Sequence, residues 1–286
     1  MTRSDAVPAR TGPALPALGT LESVLARTGP VVVAFSGGAD SAFLAVAAQR
    51  ALGAGRVLCV TAVSASLGAE ETEHCAGVVR EWGLRWRTVE TAEMDDPVYV
   101  RNGPDRCARC KEALMDALAP IADEEGATVV LGVNRDDLGD HRPGQAAAAG
   151  RGARFPLVEA GFTKADVREW SRRIGLSTWD RPAAPCLSSR IPYGTPVTFQ
   201  TLRSVDEAES GLRALGFREV RVRHHGSVAR VEVGETDLDE ALARRDEVVS
   251  VVRAAGYAFV ALDLEGFRSG GLNRLVAPGA RQLPAG

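Results

Sequence analysis

No apolar stretch of this chain is long enough to span a bilayer. The opening segment, MTRSDAVPARTGPALPALGT, also lacks the apolar core of a secretory signal. Both absences predict a cytoplasmic protein with no membrane partner. Cysteine is sparse, at five among 286 residues, which excludes a disulfide scaffold and predicts a reducing compartment. The formal charge is only −3, so nothing global argues for nucleic acid as a partner. Internal repeats and low-complexity tracts are missing. So are the two commonest nucleotide loops: no lysine completes G-x-x-x-x-G-K-[ST], and G-x-G-x-x-G does not occur. What remains is 45% hydrophobic, enough for a sizeable core, and the length suggests two domains.

The most informative stretch is VVVAFSGGADS, residues 31–41. Val31 to Phe35 reads as a short buried strand, and the chain becomes helical from Ala42 to near Gly53. Between them, Ser36-Gly37-Gly38-Ala39-Asp40-Ser41 forms a glycine turn that aims backbone N–H groups and a positive helix end at an anion. Glycine lets the backbone approach phosphate oxygens without a Cβ in the way. Ser36 and Ser41 add hydroxyl donors, and Asp40 is placed to hold a magnesium ion bridging phosphates. The plain alternative is an ordinary strand-to-helix turn rich in small residues.

Strand and helix then alternate. Strands are predicted at Val57–Val63, Leu84–Val89 and Thr128–Val133, with helices at Ala69–Trp82 and Asp105–Glu125. Such alternation predicts an α/β fold with a doubly wound, mostly parallel sheet, whose ligands bind beyond the carboxyl ends of the strands. Asn134-Arg135-Asp136-Asp137 lies at one such end. With Asp140, these carboxylates either assist a metal or cap the next turn. Thr163 to Asp166 opens a further helix as a capping-box variant, and Trp170 reads as core. After Arg190 the pattern changes to a smaller α+β domain. It has a helix at Phe199–Leu215, a hairpin of Glu219–His225 and Val228–Val233, a helix at Thr236–Ala255 and a last strand at Tyr257–Leu262. The expected organisation is a flexible tail (1–20), a domain built around the phosphate loop (21–185) and a C-terminal domain (186–286).

Cysteine placement is the second signal. Cys59 falls inside a strand and Cys75 inside a helix, as inert core residues do. Cys107 and Cys110 form C-x-x-C at a helix start among Arg106, Arg109 and Lys111, a setting that favours thiolate. Cys186 follows two prolines, Pro182 and Pro185, on a loop. Three thiols without a nearby histidine suit a site-differentiated iron–sulfur cluster better than tetrahedral zinc, and the alternative is three unrelated cysteines. On the hairpin, Arg221 and Arg223 share one strand face, and Arg230 and Glu232 share one on its partner. Such guanidiniums either bind phosphate or carboxylate or decorate a solvated face.

Taken together, these blocks resemble the LarE family of sulfur transferases, within the PP-loop ATP pyrophosphatases. The likeness runs from Val31 to about Gly234. It is carried by Ser36–Ser41, Arg106-Cys107-x-x-Cys110-Lys111, Gly132–Asp137, Thr178–Pro182, Cys186–Gly194 and Arg221-Val222-Arg223. The resemblance implies an adenine nucleotide alpha-hydrolase-like domain. It also implies an enzyme that uses ATP and Mg²⁺ to adenylylate the carboxylates of pyridinium-3,5-biscarboxylic acid mononucleotide and convert them to thiocarboxylates. Sulfur would come from a sulfide on a [4Fe-4S] cluster held by Cys107, Cys110 and Cys186, the form favoured by the presence of all three, or sacrificially from Cys186. The same pattern puts Ser36, Gly37, Gly38, Asp40, Ser41 and Asn134 at the nucleotide, and Arg190 beside the reacting cysteine. It puts Ser189, Glu209, Arg221, Arg223 and Glu232 at the substrate. Relatives form homo-oligomers, which implies the same here through the C-terminal domain. A tRNA thiolation enzyme, an amide-forming ligase of the superfamily and a non-catalytic nucleotide-binding regulator are the competing readings.

Overall fold

The computed structural model describes residues 15–139, 143–182 and 185–268. Asp140, His141 and Arg142, with the outermost residues of both termini, lie outside the described residues. The first helix, Leu18–Thr28, begins inside the stretch expected to be a tail.

Four parallel strands form the larger sheet: β1 (Val31–Ala34), β2 (Val57–Val63), β3 (Trp86–Glu90) and β4 (Thr128–Leu131), in the order β3-β2-β1-β4. Helices cover both faces, which is why the strands read as apolar runs rather than alternating ones. Val31 and Val33 face one core, packed with Phe43, Phe162 and Leu157 from the helical layer that includes Ala39–Leu52. Val32 faces the other core, with Met115 and Leu118 of the Arg106–Glu125 helix. Burying each such side chain contributes roughly 1.5–3 kcal/mol.

The strand order places the site. From β1 the chain builds outward to β2 and β3, then returns to lay β4 on the opposite side of β1. The connections leaving β1 and β4 therefore diverge and leave a crevice at the carboxyl edge. Close packing seals its floor. A Cβ on Gly132, just after β4, would come within 2.8 Å of the Ser41 backbone nitrogen.

The smaller α+β unit contains β5 (Val220–His225), β6 (Val228–Val233) and β7 (Phe259–Leu262). β5 and β6 make the expected antiparallel hairpin around Gly226, and β7 joins β6 in parallel. Its core is separate, built from Leu212, Phe217, Val222, Val231 and Val252 among others. One expectation needs correction. The stretch predicted as a single helix over Thr236–Ala255 contains two, Leu238–Ala243 and Arg245–Ala254. Arg244 interrupts them with φ −102 and ψ 26. Its guanidinium donates to the Leu215 carbonyl and to Glu240 and Glu247. These bonds, one to the distant Leu215 carbonyl and two to carboxylates within a turn, offset the modest cost of breaking a short helix. Among the described residues, no helix is long and apolar enough to cross a membrane.

Candidate active site

Gly38 caps the Ala39–Leu52 helix without a side-chain hydrogen bond, so the first-turn N–H groups keep their capacity for an anion. The loop before it is braced internally. The Ser36 N–H donates to Ser41 Oγ at 3.3 Å, the two hydroxyls lie 3.2 Å apart, and Ser41 Oγ donates to the Gly38 carbonyl at 3.1 Å. Gly37 takes φ +66, and a Cβ there would lie 2.9 Å from both Cys75 Sγ and a His74 ring carbon. Only glycine fits.

Asp40 follows on the first turn. Asn134 Nδ2 donates to Asp40 Oδ1 at 3.1 Å, while Asn134 Oδ1 accepts from the N–H groups of Asp136 and Asp137. The Asn134–Asp137 turn at the end of β4 thus fixes the carboxylate of the β1 loop. Burial pushes the Asp40 carboxyl above its ordinary value, offset in part by the Asn134 hydrogen bond and reinforced by the charge of Asp137. A cation between Asp40 and Asp137 would relieve both effects. Magnesium bound by one or two carboxylates plus substrate phosphates matches that donor set.

A cleft of about 800 Å³ opens above these residues. Ser36, Gly38, Asp40 and Ser41 line one part of it, and Cys107, Cys110, Cys186 and Ser189 another. The thiols arrive from different elements: Cys107 and Cys110 from the first turns of the Arg106–Glu125 helix, Cys186 from the segment before the Leu187–Arg190 turn. Cys107 and Cys186 are exposed, whereas Cys110 is half-buried. Burial pushes the Cys110 thiol up to about 12, with the charge of Cys186 adding to the effect and Lys111 opposing it. Three thiols are the right donors for iron–sulfur ligation, and binding a metal would drive the proton off Cys110. As placed, however, no group of three His, Cys, Asp or Glu side chains among the described residues is gathered tightly enough to hold a metal ion.

Buried polar residues hold the Cys186 segment. Asn102 has a positive φ of 60, is wholly buried, and its Nδ2 donates to the carbonyls of Ile191, Pro192 and Thr195 at 3.3, 2.8 and 2.9 Å. Arg106 bridges Asn102 Oδ1 and the Ser188 carbonyl, at 2.7 Å each. Tyr99 and Ser188 share a hydrogen bond of 2.6 Å, and the Ser66 backbone carbonyl accepts the Leu187 N–H at 2.8 Å. None of Asn102, Tyr99 and Ser66 carried a signal in the sequence, because their partners lie far away along the chain.

The remaining predicted residues fall behind the cleft. Arg190, expected beside the reacting cysteine, is 3% exposed. It pairs with both oxygens of Glu209 at 2.8 and 2.9 Å and donates to the Cys186 carbonyl at 3.0 Å. It is a brace for the cysteine loop. Arg223 makes the matching buried pair with Glu232, at 2.9 and 2.8 Å, and donates to the Ser189 carbonyl at 3.2 Å. Arg221 lies over the Phe267 ring and donates to the Val220 carbonyl. Its guanidinium is pushed down to about 10 by burial first and by Arg190 second. Glu209 also accepts the Val222 N–H at 3.0 Å, and hydrogen bonds from partners hold its carboxyl below the ordinary value despite burial. None of these five side chains is among the residues that line the cleft.

Comparison with known proteins finds one family match and three relatives. The NAD synthase family matches residues 20–106, which span β1, the phosphate loop and the following βα unit. A pyridinium-3,5-bisthiocarboxylic acid mononucleotide synthase of Lactiplantibacillus plantarum is 37% identical over 255 residues, covering 89% of this chain and 92% of its own. The chain belongs to the LarE family of ATP-dependent sulfur transferases. An uncharacterised protein of Synechocystis is 43% identical over 248 residues, 86% of this chain and 92% of its own. Another, from Methanocaldococcus jannaschii, is 23% identical over 240 residues. Use of ATP and Mg²⁺ is a property of this PP-loop family.

Proposed function

We propose that this enzyme adenylylates the carboxylates of pyridinium-3,5-biscarboxylic acid mononucleotide and converts them to thiocarboxylates. The observation that supports this most is one cleft shared by the phosphate loop and three thiols. A carboxylate oxygen is a poor leaving group. Its attack on the α-phosphorus of ATP makes an acyl adenylate and releases pyrophosphate, and sulfur then displaces AMP. The loop amides and Ser41 would hold the β,γ-pyrophosphate, and Mg²⁺ at Asp40 would neutralise it. Bringing both reactants into one cleft turns a bimolecular attack into an oriented one.

Sulfur delivery is assigned to the Cys107, Cys110 and Cys186 wall. A [4Fe-4S] cluster bound by these three would supply a sulfide on its fourth iron. Without it, the Cys186 thiolate itself displaces AMP, and cleavage of its Cβ–S bond with loss of the Cα proton leaves dehydroalanine and the thiocarboxylate. The family pattern assigns the substrate's anionic end to Arg221 and Arg223, which stand behind the cleft lining, with Arg223 donating to the Ser189 carbonyl. Cytoplasmic residence and a homo-oligomer belong to the same proposal.

The test is pyrophosphate release from ATP with the pyridinium mononucleotide, with tRNA and with neither. Release that requires the mononucleotide supports the proposal; release that requires tRNA sinks it. The mass of the protein after one turnover separates the sulfur sources, since the sacrificial route removes about one H₂S per chain.

A further inference from the structure

Two side chains outside the cleft converge on one backbone oxygen of the phosphate loop. His74, on the Ala69–Trp82 helix, places Nε2 3.0 Å from the Gly37 carbonyl. Arg181, in the segment just before the cysteine loop, donates to the same oxygen at 3.4 Å. Arg181 is itself held by both oxygens of Glu71, one turn before His74, at 3.0 Å each. Because a carbonyl can only accept, Nε2 carries a proton. The charged groups around the ring are Arg181, Glu71 and Glu81, and burial and then Arg181 push the imidazole below its ordinary value.

The consequence follows from peptide geometry. In a trans peptide the C=O and the next N–H point in opposite directions, and no cis bond occurs among the described residues. Pulling the Gly37 oxygen back onto His74 and Arg181 turns the Gly38 N–H the other way. Gly38 lines the cleft. Gly37, at φ +66, has the freedom to flip this peptide, so something must fix it. We propose that His74 and Arg181 are positioning residues that clamp the Gly37 carbonyl, set the Gly38 amide for the polyphosphate of ATP, and tie the phosphate loop to the segment that delivers Cys186. The phosphate loop and the cysteine wall are then not independent. Arg181 touches one and lies five residues before the other.

Binding of α,β-methylene ATP and of AMP to the full chain, measured calorimetrically without carboxylate substrate, tests this apart from the reaction proposed above. His74→Ala and Arg181→Ala should each weaken the ATP analogue about tenfold, the worth of one charge-assisted hydrogen bond, and leave AMP unchanged. His74→Gln, whose amide nitrogen sits near the Nε2 position, should restore most of the loss. Should either alanine variant fail to fold, His74→Gln and Arg181→Lys carry the test, with near-normal binding expected for the first and weakened binding for the second. Equal losses for both nucleotides, no loss for the analogue, or failure of His74→Gln to rescue would overturn the clamp. A wild-type enzyme that binds the analogue but ignores the pyridinium substrate would sink the reaction and spare the clamp.

Discussion

Cys59 and Cys75 are sealed in the core beneath the phosphate loop, while Cys107, Cys110 and Cys186 line the cleft above it. The side chain is the same in both sets; what differs is the backbone that presents it. Cys59 sits mid-strand and Cys75 mid-helix, where packing from both sides excludes water. The cleft thiols come from the opening turns of a helix and from a proline-rich segment, places where a side chain can be buried on one side only. Cys110 stands between the sets. Its thiol is pushed up to about 12, as is that of Cys59, yet it borders the cleft. Cysteine identity therefore carries little functional information here until its surroundings are specified.

The comparison is broken most severely by removing Cys186. Cys186→Ala should lower sulfur transfer by on the order of 10⁴-fold or more, as loss of a nucleophile does, while pyrophosphate release continues. If thiocarboxylate formation survives in that variant, the two sets are not chemically distinct. A smaller effect, on stability, should run the other way. Cys75→Ser buries a hydroxyl beside Gly37 and should cost about 1–3 kcal/mol, whereas exposed Cys107→Ser should stay within about 0.5 kcal/mol. Denaturant titration of both variants measures the contrast.

A pH effect should follow. In the folded state Cys59 keeps its proton to about 12, against an ordinary 9.0, so stability is full below 9.0 and falls as pH rises toward about 12. Melting temperature over that window should drop less steeply in Cys59→Ala. The mildest test is labelling. At neutral pH, iodoacetamide should modify Cys107 and Cys186 first, Cys110 more slowly because its thiol stays protonated, and the core pair only on unfolding. Early modification of Cys59 or Cys75 would erase the distinction.

Much of this was legible in the residue order where the signal is local. The β2 strand, the Ala69–Trp82 helix and the β6 strand end at the residues their patterns predict. The capping box at Thr163 is formed with Asp166 as read. The glycine loop and the three placed cysteines also meet in one cleft. Legibility stops where partners are distant. Hairpin alternation puts Arg221 and Arg223 on the non-core face, but nothing local says that Glu232 neutralises one and Phe267 covers the other. The resemblance puts Arg190 beside Cys186, and its guanidinium donates to the Cys186 carbonyl, but nothing local tells that it is buried. Its carboxylate partner, Glu209, lies on the next helix. His74 left no trace, and Arg181 stood only as one residue of the Thr178–Pro182 block, because their common partner is a backbone atom.

The Asn102 knot has a consequence in time. Its three bonds span 89, 90 and 93 residues, and the Arg106 bond to Ser188 spans 82. Contacts of such separation form late, after the entropy of closing long loops has been overcome. During synthesis the phosphate loop and its sheet emerge well before Cys186 exists. A chain interrupted before Pro185 would therefore hold the phosphate loop, Cys107 and Cys110 without Cys186. It would also leave the Asn102 amide and the Arg106 guanidinium without their far partners in a forming interior, so a nascent or clipped enzyme is marked as incomplete by its own unsatisfied polar groups.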